Sequence, residues 1–159
     1  MPTLSWLRLS IPGTNLLEAR LECHYAVQIN TRLARGFITA KDDDSHTSLS
    51  WEPRAGALIG EPLVAFRLGL RISNLTLLLL GPASEEMASC SLDGQTVEDA
   101  LRWLSDHLQA SRLHPTPLSL PIHFTLDDHP LLHGGRFRLR GMEPLFDNWL
   151  SGTAMRLIV

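Results

Sequence analysis

Lysine is almost missing from this chain of 159 residues: Lys41 stands alone against thirteen arginines. The bias reads first as a genomic composition, expected of a bacterial source, and only second as a preference for guanidinium. An excess of basic charge is missing too. Fourteen Lys and Arg against seventeen Asp and Glu leave a net charge of -3, which gives no electrostatic footprint for nucleic acid. Cysteine is scarce. Cys23 and Cys90 fall in a predicted helix and a predicted strand with no short metal spacing between them, and read as small buried apolar residues. No run approaches the roughly 20 apolar residues that a membrane helix needs. No N-terminal segment joins a basic start to an apolar run, so a cytoplasmic location without membrane contact is expected. A Gly-x-Ser-x-Gly elbow is absent, and Gly134-Gly135 is a lone pair rather than a phosphate loop. Repeats of the solenoid kind are absent as well. No motif that remains specifies a reaction.

What is present suffices for one domain over 1–159. The chain is 44% hydrophobic and 19% charged, which suits a folded core. Its organising stretch is Leu63 to Gly81. Phe66, Leu68, Leu70 and Ile72 alternate with Arg67, Gly69 and Arg71, as on a strand with one face buried. Leu75 to Leu80 is apolar except at Thr76, as on a short strand covered on both faces. Around this pair the spacing predicts a hairpin at 46–59, a strand at 87–92 and an edge strand at 118–126. Arg136 to Arg140 alternates too. Strands follow one another without intervening helices, so the expected fold is α+β: an antiparallel, meander-like sheet of about five to seven strands with two or three packed helices.

Asn15 with Glu18 fits a capping box opening a helix to about Arg35, whose stripe is Leu17, Leu21, Tyr25, Ile29 and Leu33. His24 and Gln28 border it. Thr96 caps a second helix with Val97, Ala100, Leu101, Leu104 and Leu108 on its apolar face. Met142, Leu145, Phe146, Trp149 and Leu150 suggest a third.

Two loops hold candidate metal ligands. One contains Asp42, Asp43, Asp44 and His46; the other contains Asp127, Asp128, His129 and His133. Carboxylate and imidazole groups can bind a divalent cation, and His-x-x-x-His can bind zinc from one side of a helical turn. Pro130 stands where the helical metalloprotease pattern needs Glu, however, and Gly134-Gly135 argues for a loop. Turn-capping aspartates in a solvated loop are the simpler reading of the first cluster. Asp44, His46, Asp128, His129 and His133 are the residues on which a metal site would rest. Arg67 with Arg71, or Arg136 with Arg138 and Arg140, could clamp an anion bidentately. The simpler reading pairs them with carboxylates.

Asp43-Asp44-Ser45-His46-Thr47-Ser48-Leu49-Ser50-Trp51, the run Leu75 to Leu80, and Asp128-His129-Pro130 with His133-Gly134 resemble the first half of an uncharacterised bacterial family. Its members carry a second half of similar size with a Trp-Pro-His-His-Phe-Asp motif, which this sequence lacks. The resemblance implies an architecture and a partner half, with no assigned activity. Leu157-Ile158-Val159 is apolar and ends without a stop signal. That pattern is expected of a segment docked in another copy, giving a homo-oligomer, or covered by the second half of a longer two-part protein. The expected function is a binding or interaction module. The alternative is a metal-dependent enzyme using the 42–46 and 127–133 loops.

Overall fold

A computed structural model describes residues 13–119 and 128–139. The alternating run and the all-apolar run become the middle of the sheet. The strands are β1 (Ser50–Glu52), β2 (Ala57–Ile59), β3 (Arg67–Arg71), β4 (Thr76–Leu80) and β5 (Glu86–Ser91), in the order β1-β2-β3-β4-β5. Each neighbouring pair is antiparallel. Consecutive antiparallel strands need only short turns, which is why no helix intervenes between them. The fold is α+β, with five strands and two α-helices among the described residues.

Register assigns the side chains to faces. Leu58 lies opposite Leu70, Leu70 opposite Leu77, and Leu68 opposite Leu79. These leucines form one face of the sheet and join the main core with α1 (Gly13–Phe37) and α2 (Val97–Ala110). The other face carries Ala57, Ile59, Leu78 and Leu80, each at most 4% exposed, in a second small core. Contacts between Arg71 Nε and the Ala55 carbonyl (3.2 Å), and between Arg71 Nη2 and Glu86 (3.2 Å), link the first hairpin to β5. Gly69 sits at the centre of this face, where an added Cβ would come within 3.4 Å of Ile59 Cγ1. Full burial of β4 on both faces is the arrangement its unbroken leucines require. The β3–β4 turn ends with Leu75 at φ 45°, a conformation that costs a non-glycine residue about 1–2 kcal/mol. Complete burial of its side chain in the main core offsets that strain.

α2 starts as its sequence requires. Thr96 Oγ1 accepts the Asp99 N–H at 3.0 Å, and Asp99 Oδ2 accepts the Thr96 N–H at 3.0 Å. α1 departs from its sequence pattern in two ways. It begins two residues before Asn15, so the Asn15–Glu18 pairing does not mark its start. Its burial also extends well beyond a stripe: from Glu22 to Ala34 only His24 and Arg32 escape full burial. Its polar side chains therefore lie inside the protein. Asn30 is one of them, and its Nδ2 donates to the Leu68 carbonyl at 2.9 Å, tying helix to sheet.

Residues 136–139 dock on the turn before α2. Phe137 is completely buried, its N–H donating to the Gln95 carbonyl and its carbonyl accepting the Gly94 N–H. A single bridge, Thr96 with Arg136, is the extent of strand pairing there among the described residues. At the expected edge strand, Thr116–Ser119 is a short 3-10 turn and 120–127 lie outside the described residues. The N-terminal arm and the expected helix after Met142 lie outside them too. Among the described residues no helix is long and apolar enough to cross a membrane.

The second core supplies a test. Leu78→Asp would place an unpaired charge at a fully buried position, costing several kcal/mol against a total stability of about 5–15 kcal/mol. Its cross-strand neighbour Ser89 is exposed, so Ser89→Asp should be tolerated. Thermal melts are expected to show no folded Leu78→Asp protein and a near-normal Ser89→Asp. A normal melt for Leu78→Asp would contradict the second core.

Candidate functional site

The 41–47 loop folds as a turn built on its aspartates. Asp43 accepts the Ser45 N–H at 3.1 Å, and hydrogen bonding by the Ser45 side chain and backbone holds its carboxyl below the usual range. Asp44 adopts a left-handed backbone with φ 56°, and its carbonyl accepts from both Thr47 N and Thr47 Oγ1. The three aspartates are exposed while His46 is buried, its Nδ1 accepting the Lys41 N–H at 3.2 Å. Imidazole and carboxylates thus belong to different sides of the loop.

Asp128, His129 and His133 also separate. His133 Nε2 and Asp128 Oδ1 pair at 2.6 Å on the surface. His129 turns inward, only 7% exposed. Its Nδ1 accepts the Leu131 N–H at 3.2 Å, so the proton of the neutral ring is on Nε2, which donates to Glu18 Oε1 at 2.8 Å. The ring stacks on Tyr25 with centroids 5.2 Å apart. Both ring nitrogens therefore have partners, and His129 fastens the Pro130–His133 turn to α1. Among the described residues no three His, Cys, Asp or Glu side chains are grouped so as to hold a metal ion. The arginine candidates are occupied as well: Arg67 donates to Ser84 Oγ at 2.8 Å, Arg71 pairs with Glu86, and Arg136 donates to the Gly94 carbonyl at 2.8 Å. Arg140 lies outside the described residues. Burial pushes the Cys23 thiol up to about 12, far from a reactive thiolate.

Beside His129, the turn, α1 and the start of α2 enclose a cleft of about 210 Å³. Ile29, Val97, Leu101 and Leu131 give it an apolar lining, and Leu132 is its most exposed leucine at 45%. Gln28 and Arg32, one helical turn apart on α1, line it together with Tyr25, Thr96 and Glu98. Gln28 is only 3% exposed, and neither atom of its amide has a hydrogen-bond partner among the described residues. Such a group costs about 1–3 kcal/mol to leave unpaired. Among the described residues Arg32 makes one long hydrogen bond, 3.4 Å to the Leu118 carbonyl, and burial lowers its pKa.

One turn before Tyr25, Glu22 is 2% exposed. Both of its carboxylate oxygens accept the one N–H of Arg138, at 3.1 and 3.0 Å. One donor does not replace the water that a carboxylate loses, and burial raises the Glu22 pKa to about 7.

Glu18, Glu22, Gln28 and Arg32 were not singled out by sequence as site residues, since a polar side chain beside an apolar stripe reads as the helix's wet edge. The available signal was the breadth of the apolar content around that stripe, which leaves Glu22 and Gln28 little room at the surface.

Glu22 makes stability depend on pH. Its folded pKa, about 7, lies above the ordinary 4.5, so the folded state binds the proton more tightly. Its contribution is fully present below about pH 4.5 and is lost as pH rises through about 7. In Glu22→Gln the amide imitates the protonated acid, and the melting temperature should match wild type at pH 5 and exceed it at pH 8. Equal differences between the two proteins at both pH values would contradict a proton held on Glu22.

No protein-family model, curated protein or solved structure matches the chain.

Proposed function

We propose that this chain is a binding module whose recognition site is the cleft between α1, the start of α2 and the Pro130–His133 turn. The observation that carries the reading is Arg32: a half-buried guanidinium lines an apolar cleft, and among the described residues its one hydrogen bond is the long contact to the Leu118 carbonyl. Buried polar groups are nearly always paired, and exceptions collect where a ligand or water completes the bonding. The lining fits the usual make-up of a small-molecule site, mostly apolar with a few placed polar groups. At about 210 Å³ it is smaller than the roughly 300–1,000 Å³ of pockets that take drug-sized molecules, so the ligand has few heavy atoms. The stacked and hydrogen-bonded His129 supports the reading by fixing one wall of the cleft to α1. The family resemblance, which implies an architecture and no activity, agrees with a module.

Ligand-observed NMR against a mixture of small acids, amides and amines tests the proposal. Saturable binding is expected for wild type. It should disappear in Leu132→Trp, which fills the cleft from an exposed position and should leave the melting temperature unchanged. Binding that survives in a folded Leu132→Trp, or no binding in wild type, would overturn it.

A further inference from the structure

Arg32 narrows the ligand class. Its guanidinium has five N–H donors, yet its one hydrogen bond among the described residues is the long contact to the Leu118 carbonyl. Among the described residues it has no carboxylate partner, whereas Arg71, Arg102 and Arg136 all do. A half-buried cation without a counter-ion is unfavourable and attracts an anion. Gln28, one helical turn earlier, also lines the cleft, but its unpaired amide is closed to solvent, so the donor a ligand meets is Arg32. The planar fork of a guanidinium suits the two oxygens of a carboxylate.

The lining separates a carboxylate from other anions. A phosphate would bring up to two negative charges to one guanidinium, and Glu98 at the same cleft, exposed and paired with Arg102, repels a dianion more than a monoanion. Ile29, Val97, Leu101 and Leu131 offer instead a surface for a short hydrocarbon chain. We infer that the cleft binds small monocarboxylates, the carboxylate held by Arg32 and a short apolar tail lying against Val97, Leu101 and Leu131. This inference rests on the binding-module reading above. Leu132, nearly half exposed, is the lining side chain that can move to admit the ligand without disturbing the core.

Titration of the ¹⁵N-labelled protein with butyrate, butyramide, butylamine and inorganic phosphate decides it, read from amide shifts of residues around the cleft. Butyrate is expected to bind at least about tenfold tighter than its neutral isostere butyramide, because a charge-assisted hydrogen bond is roughly twice as strong as a neutral one. Phosphate and butylamine should leave the cleft shifts unchanged. Arg32→Met should remove the preference, weakening butyrate at least about tenfold and butyramide less than twofold. If Arg32→Met does not fold, the butyrate-to-butyramide ratio in wild type decides alone. Equal binding of butyrate and butyramide, or a preference for butylamine or phosphate, overturns the carboxylate inference and leaves the cleft a binding site. No cleft shift with any of the four probes, together with no ligand from the wider mixture, overturns both.

Discussion

The structure depends on the burial of α1 on nearly all sides. Over Glu22 to Ala34 the helix presents Ala26, Ile29 and Leu33 to the main core, and only His24 and Arg32 keep partial exposure. A helix placed this way cannot send its polar side chains to water. Each must find a partner inside or remain unpaired, and an unpaired group costs more than its hydrogen bond would have returned. The elements around α1 follow from this accounting. Asn30 takes the Leu68 carbonyl and fixes the helix to β3. Glu22 takes the Arg138 N–H and holds residues 136–139. Nearer the helix start the exposed Glu18 takes the buried His129 and holds the Pro130–His133 turn. Three segments distant in sequence are located by polar groups of one helix.

Where the accounting does not close, the candidate site lies. Gln28 has no partner among the described residues, and His24 Nε2 and Thr31 Oγ1 share its condition along the same side of α1. Of the three, Gln28 lines the cleft, and Arg32 joins it there one turn later. The difference between Glu22 and Gln28 is instructive. Glu22 has one donor and responds by a raised pKa, because a carboxyl can take a proton where solvation fails. An amide has no such recourse, so its bonding can be completed only by another molecule or another residue.

The sheet was legible in the sequence because its physics is local. Alternation at Leu68 and Leu70 and the unbroken run at Leu77 to Leu80 fix which faces are covered, and antiparallel neighbours follow from strands without intervening helices. Thr96 and Asp99 gave the start of α2 for the same reason. α1 was legible as a helix and misread as to its faces. Its period shows Tyr25, Ile29 and Leu33, but the partners of the buried Asn30 and Glu22 lie 38 and 116 positions away. His129 shows the same limit. Beside Asp128 and His133 it resembles a ligand, yet the residue that accounts for it, Glu18, is 111 positions distant. Asn15 and Glu18 matched a capping box by spacing alone, and the helix begins before Asn15.

Amide hydrogen exchange tests the central placement of α1 most directly. A helix packed on one face frays and exchanges through local opening, whereas one enclosed on all sides opens only when the domain unfolds. The account predicts that amides from Tyr25 to Leu33 exchange as slowly as those of β4, with no difference between the Tyr25–Ile29 side and the Gln28–Thr31 side. Exchange of Gln28, Thr31 and Arg32 through local opening, while β4 stays protected, would contradict an enclosed α1 and leave its polar side facing water.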